Sequence, residues 1–462
     1  MKQIILFLND CVPKMVAVAV ILVVAILCLE WYRGWKDKQL KELKKGTRKK
    51  AHGIIFGKKG WKLVYSPEKA EGHVGVFSAS GTGKTASIGV PTLRAWQGTS
   101  YTIDISGDIC QNCPDMPHKL VYAPEKPDTT PYNIFAPIDD LDATEDKKEA
   151  LEQFAFLLMP EEPNMNDNAR FFLVNGRKIL TASLIAFYQK GMDFIEIAEK
   201  IVESSWQELF RDIDNTGNIE AIRYINSFEG ANEANTAGCK QSADDALKLF
   251  ATNGKIKRSI RRPKKGEKSV EPKKIEQNNI FVVVGEDKLN LYAPLMNILT
   301  SQLMQYIGTR EVQKSSPAIL LFLDEYGSLK LDKELILDAV RRFRKRRCRI
   351  MVLMQNTVDL NLLYGADATR AILSNLKYKV LLGGLGEPES QKYFASLIGY
   401  KDSTKHSTSS NAKQTTHTES EAKEWVIEPA ELDRQGKDTV ILIAADEPYG
   451  YLKLKKNYYF KR

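Results

Sequence analysis

The sequence predicts an α/β protein with a mostly parallel sheet, an all-α inserted domain and an N-terminal transmembrane helix. Three observations predict it. Short, wholly apolar runs at 74–77, 318–323 and 350–354 each end in polar or charged residues, as parallel strands buried on both faces do. Residues 143–262 switch to helical spacing, and residues 15–29 are fifteen uncharged residues in a row. With 462 residues, 43% hydrophobic and 27% charged, the composition excludes wholesale disorder, a stapled mini-protein and a many-helix membrane protein. Six cysteines, at 11, 28, 110, 113, 239 and 348, are too scattered for a disulfide framework and point to a reducing compartment.

Residues 15–29 come first. A fifteen-residue helix rises roughly 22 Å against a hydrocarbon core of about 30 Å, so the span must recruit Val12–Pro13 and Trp31–Tyr32 or thin the bilayer. The residues after it are bulky and charged, with no small-x-small cleavage site, which argues against a signal peptide. The net charge of +9 is not spread evenly. Residues 33–50 carry +7, 255–274 carry +8 and 341–349 carry +7, which leaves about −13 for the rest of the chain. The basic excess directly after the span puts the body in the cytoplasm, with the juxtamembrane run on anionic lipid.

Next is the segment 72–85. The strand 74–77 leads into Ser78, Ala79, Ser80, Gly81, Thr82, Gly83, Lys84, Thr85 and Ala86, which open a helix. Backbone N–H groups converge on a phosphate only where glycines permit the turn and a helix begins. Lys84 supplies charge and Thr85 a hydroxyl for Mg²⁺. Ser78 stands where G-x-x-x-x-G-K-[ST] asks for glycine. The strand 318–323 then delivers Asp324, for Mg²⁺, and Glu325, placed to deprotonate a water attacking the γ-phosphate. The strand 349–354 ends at Gln355, an amide able to sense that phosphate. Together these read as a RecA-like P-loop NTPase using ATP and Mg²⁺.

With those motifs in this order, the chain resembles the type IV secretion coupling proteins, the TraG-type conjugative DNA-transfer ATPases. The resemblance adds Asp104-Ile-Ser-Gly-Asp108, Tyr132-Asn133, Tyr292-Ala-Pro294, Leu360, Tyr364-Gly365, the stretch 424–432 and Tyr458-Tyr459. It departs at Ser78, at Arg347 where the family often has glycine, and in lacking a second clear span and an external domain. It implies a homo-hexamer on the bacterial inner membrane, single-pass here, which recruits relaxase-bound DNA and passes it to secretion-channel components. It also implies an arginine acting across subunits. Arg344 lies eleven residues before Gln355, at the spacing of the family's R-x-x-G, with Arg341, Arg342 and Arg346 as fallbacks. An FtsK-type DNA translocase, a protein-cargo secretion ATPase and a substrate receptor with little hydrolysis remain alternatives.

The expected organisation is an anchor and basic segment at 1–50, nucleotide-binding parts at 51–142 and 263–462, and the helical insertion at 143–262. The insertion reads from Ala169, Phe172, Leu173, Ile179, Leu180, Leu184 and Phe187, then Phe194, Ile197, Ala198 and Ile201, with Asp or Asn near helix starts. It either meets substrates, as the resemblance implies, or is passive packing. The run 255–274, broken by Pro263, Gly266 and Pro272, reads as an exposed loop, open to DNA phosphates or merely solubilising. Residues 401–422, rich in Ser and Thr, read as a flexible loop. Cys110 and Cys113 with His118 lack the second pair a zinc site needs and read as surface thiols.

Overall fold

The structure, a computed structural model, describes residues 24–28, 44–46, 53–66, 72–161, 165–411, 414–444 and 450–460. Most of the apolar stretch 15–29 and of the basic run 33–50 lies outside the described residues. Residues 24–28 are helical, and among the described residues no helix is long and apolar enough to cross a membrane.

Twelve strands form one sheet: β1 (Lys44–Gly46), β2 (Ile55–Lys59), β3 (Lys62–Tyr65), β4 (Val74–Phe77), β5 (Thr99–Asp104), β6 (Lys119–Tyr122), β7 (Asn279–Val283), β8 (Ile319–Leu323), β9 (Cys348–Met354) and β10 (Tyr378–Leu381), and then, beyond the separate hairpin β11 (Tyr400–Asn411) and β12 (Gln414–Trp425), β13 (Thr439–Ala444) and β14 (Tyr451–Lys455). Their order is β1-β3-β2-β14-β13-β10-β4-β9-β8-β5-β7-β6. From β10 to β6 every pairing is parallel, and β13, β14, β2, β3 and β1 extend the sheet antiparallel. The apolar runs are explained by burial on both faces. Leu320 and Phe322 of β8 join Val74, Val76 and Leu353 in one core, while Ile319, Leu321 and Leu323 join Ile350, Val352 and Met354 in the other. Each such side chain contributes roughly 1.5–3 kcal/mol by leaving water.

Between β6 and β7, after the short helix Ala136–Asp139, the described residues form seven helices from Thr144–Leu158 to Gly254–Ser259. Short polar side chains start them: Asn166, Asp193, Asn218, Asn232 and Asn253 each accept from backbone N–H groups of the first turn, and Asp193 and Ser205 form reciprocal boxes with Glu196 and Glu208. The long helices Asp167–Gln189 and Glu233–Thr252 cross so closely that a Cβ on Gly176 would stand 2.6 Å from the Cys239 carbonyl oxygen. Ile179, Leu180, Leu184, Phe187, Phe194, Ile197, Ala198 and Ile201 are buried, Phe172 and Leu173 half-buried, and Ala169 exposed. These helices share one core with a face of the sheet. The Phe135 ring meets Phe154, Tyr188 and Phe194 edge-on, at centroid distances of 6.0, 5.2 and 5.9 Å.

Two expected loops are ordered. Residues 401–411 and 414–422 belong to the hairpin of β11 and β12, paired from Tyr400↔Trp425 to Asn411↔Gln414. Threonine suits a pleated strand, and the Tyr400 and Trp425 rings stack at the hairpin's base, 4.2 Å apart. The run 255–274 begins inside the helix Gly254–Ser259 and ends in the 3₁₀ turn Pro272–Glu276. Between them Arg261 pairs with Glu267, and Val270 bridges to Tyr132.

Candidate nucleotide-binding site

The phosphate loop leaves the carboxyl end of β4 and enters the helix that runs from Thr85–Gly89, π-helical, into Val90–Ala95. Gly81 and Gly83 sit at φ +75° and +92°, the left-handed region where a Cβ is strained. Ser78 has no such φ, so a side chain fits there, and its hydroxyl bridges to Thr82 Oγ1 at 2.5 Å. Thr82 in turn donates to the Ala79 carbonyl at 2.8 Å. The loop's base is held by Ser78 N–H on the Met354 carbonyl (3.2 Å) and Ala79 N–H on the Gly384 carbonyl (2.8 Å).

Lys84 is buried and donates to the carbonyls of Ser78 (2.8 Å) and Ala79 (3.3 Å). Burial lowers its pKa, opposed by the charges of Glu325 and Asp324, so all three belong to one electrostatic group. Asp324 directly follows β8, 4% exposed, and burial, reinforced by Glu325 and Asp104, pushes its carboxyl up to about 7. Its Oδ1 is buried with no hydrogen-bond partner. A hard divalent cation that prefers oxygen ligands answers that orphaned oxygen, and Asp324 with the Thr85 hydroxyl is the pair that would hold Mg²⁺. Glu325, half-buried, stands at φ 44°, ψ 48°, an uncommon conformation for a residue with a side chain and one that costs of order 1–3 kcal/mol. Gln355, just past β9, donates from Nε2 to Ser80 Oγ at 3.2 Å. The fold therefore brings together Lys84, Asp324, Glu325 and Gln355.

Arg344 is not brought to this group. It lies in the 3₁₀ turn Phe343–Arg346 before β9, whereas the phosphate loop lies at the carboxyl ends of β4 and its parallel neighbour β9. Seven residues of strand, roughly 23 Å, separate the two ends. Arg347, where the related pattern has glycine, takes φ 52°, and its guanidinium donates to the carbonyls of Gln313 and Lys314.

Asp104 at the end of β5 accepts from the N–H groups of Gly107 (2.9 Å) and Cys110 (2.7 Å), which makes the 104–108 turn a brace beside Asp324. Cys113 is buried, not a surface thiol, and Lys119 donates to the carbonyls of both Cys110 and Cys113. Among the described residues no His, Cys, Asp or Glu cluster is poised for a transition metal. Of the basic run, Lys255 pairs with Glu125, Lys257 with Glu199, Arg261 with Glu267, Arg262 with Asp139 and Lys273 with Asp140. Arg258, Lys265 and Lys268 are exposed and form no ion pair among the described residues, and Lys264, also exposed, meets Glu267 through its backbone N–H at 2.7 Å. Sequence reasoning missed two supports of the loop, Gly384 and the carboxyl-terminal segment, where Lys456 Nζ donates to the Thr82 carbonyl at 2.8 Å. Nothing in residue spacing signals contacts across more than 300 positions.

A glycine-bearing phosphate loop at the carboxyl end of a parallel strand, faced by buried Asp324, half-buried Glu325 and an amide from the adjacent strand, defines an α/β phosphate-loop protein. Residues 33–462 match the model of the type IV secretory system conjugative DNA transfer family, and the chain belongs to that family. It is similar to protein VirD4 of Rhizobium rhizogenes, 23% identical over 435 residues covering 88% of this chain. It spans 62% of that relative's length. Its fold is similar to that of the plasmid coupling protein TrwB in complex with the ATP analogue ADPNP (TM-score 0.66, 18% identity, 91% of this chain and 95% of that one). The TrwB complex with ADP and Mg²⁺ gives a TM-score of 0.63 at 19% identity, covering 86% of each chain.

Proposed function

We propose that this chain is an ATP-hydrolysing coupling protein, a homo-hexamer anchored in the bacterial inner membrane by residues 15–29 with its body cytoplasmic. It recruits relaxase-bound DNA and moves it to a type IV secretion channel. The observation that carries the reading is the junction of Lys84, Asp324, Glu325 and Gln355 at one loop, which supplies phosphate charge, a metal ligand, a base and a sensor. Family membership and the nucleotide complexes of TrwB support the same substrate.

The backbone N–H groups of 81–86 and the Lys84 ammonium hold the phosphates of ATP, the ammonium leaving the Ser78 and Ala79 carbonyls for them. Thr85 and Asp324 would hold Mg²⁺, which would supply neutralisation of phosphate charge. Glu325 accepts a proton from water in line with the γ-phosphate, and the neighbouring subunit's copy of Arg344 stabilises the charge that develops. The distance of Arg344 from the loop of its own subunit is what favours action in trans.

The test uses the full chain in detergent. Glu325→Gln should bind ATP normally while turnover falls about 10²–10⁴-fold, and Lys84→Ala should lose binding as well. Undiminished turnover in Glu325→Gln would remove Glu325 as the base. Stimulation by DNA separates a motor from a receptor, and dependence on a relaxase with its transfer origin separates coupling from FtsK-type segregation.

A further inference from the structure

Past β14 the chain turns back across the phosphate loop. Lys456, 7% exposed, reaches the Thr82 carbonyl, and its own N–H donates to the Asp438 carbonyl at 2.8 Å. The Tyr459 N–H donates to the Ala86 carbonyl at 3.0 Å, and the Arg94 guanidinium lies over the Tyr459 ring at 5.0 Å. The Tyr458 ring lies against Gly83, where an added Cβ would stand 3.0 Å from Cε1. The segment is thus tied to the loop at Thr82, Gly83 and Ala86, the side on which a helix-bound phosphate chain must continue toward its nucleoside.

Those ties engage Lys456 and the backbone and ring of Tyr459, whose ring also meets Phe460 edge-on at 5.2 Å. Tyr458 is half-buried, Phe460 is 59% exposed, and their centroids are 5.3 Å apart at an interplanar angle of 33°. Between Lys456 and Tyr458, Asn457 is 1% exposed and its Oδ1 has no hydrogen-bond partner. Two roughly aligned aromatic faces beside the loop, next to a buried unpaired amide oxygen, are the chemistry that receives a nucleoside. Planar rings stack on a base of any identity, and an amide oxygen accepts from a ribose hydroxyl or an exocyclic amine.

We propose that the carboxyl-terminal segment 456–460 is the nucleoside subsite of the phosphate loop, with Tyr458 and Phe460 as the stacking wall for the base and Asn457 as the polar contact behind it. The proposal rests on the phosphate loop binding a nucleoside triphosphate, as argued above. Two probes separate the two claims, Mg²⁺-ATP and Mg²⁺-tripolyphosphate, each titrated calorimetrically into the full chain in detergent. Tyr458→Ala and Phe460→Ala should weaken ATP roughly 5- to 100-fold and leave tripolyphosphate within about twofold of the unchanged chain, while Tyr458→Phe keeps ATP affinity. Phe460, exposed at the surface, can be truncated without disturbing the core, so its variant guards against a misfolded Tyr458→Ala. Equal weakening of both probes would make the rings mere props of the loop and overturn the subsite. Unchanged ATP affinity in both alanine variants would overturn it too. An unmodified chain that binds neither probe would refute the phosphate-loop reading and the subsite with it.

Discussion

His73 should make this protein sensitive to mild acid. It precedes β4 and is fully buried, with Nε2 against the Val340 carbonyl at 3.1 Å and Nδ1 accepting from the Ile350 N–H at 3.0 Å. Since a carbonyl only accepts and an amide N–H only donates, the ring must be neutral with its proton on Nε2. Protonation would set a second N–H against that of Ile350, in a fully buried site near Arg344 and Arg349. Burial, and after it those two charges against the opposing Val340 bond, lowers the pKa from 6.5 to about 4. Between pH 6.5 and 4 the unfolded chain binds a proton that the folded chain refuses, so this residue's stabilisation is complete above pH 6.5 and lost on acidification. The shift of about 2.5 corresponds to roughly 3 kcal/mol, most of it gone by pH 4.5. His73→Asn keeps an acceptor for Ile350 and cannot titrate in this range. Urea unfolding of the full chain in detergent, followed by tryptophan fluorescence at pH 7 and pH 4.5, should show the parent losing about 2–3 kcal/mol more than His73→Asn. If the two proteins lose stability in parallel, His73 is not the acid-sensitive tie.

Mixing Arg344→Ala subunits with Glu325→Gln subunits should restore part of the ATPase, because some interfaces then pair an intact base with an intact arginine; an assembled mixture with no recovery counts against Arg344. Neutralising Arg258, Lys264, Lys265 and Lys268 should lower DNA stimulation and flatten its salt dependence while basal hydrolysis stays constant, since phosphate contacts release counterions. Adding Arg261 and Arg262 to that set should instead lower the melting temperature, because their partners Glu267 and Asp139 are then left unpaired. Stimulation that is unchanged across a salt series would place DNA contact elsewhere, with the helical insertion next to be tested.

Local chemistry carried much of the reading. The apolar runs had to be central parallel strands, because in a parallel sheet covered on both sides alternate residues both enter a core, as Phe322 and Leu323 do. Gly81 and Gly83, followed by Lys84 and Thr85, announced a phosphate loop because few residues tolerate φ values of +75° and +92°. The Asn and Asp residues ahead of the insertion's helices marked their starts for an equally local reason, since a cap bonds two or three residues on. Charge counting misled at 255–274, because whether a cation is solvated depends on which acids the fold sets beside it. Glu199, Asp139 and Asp140 come from elsewhere in the chain. Composition misled at 401–422, where strand pairing, not serine content, decides order. The His73 tie and the fold-back of 456–460 onto the loop were decided only by the tertiary structure. Each is a contact between segments tens to hundreds of residues apart, and a pattern along the chain records what one segment needs, while the sheet order settles which segment meets it.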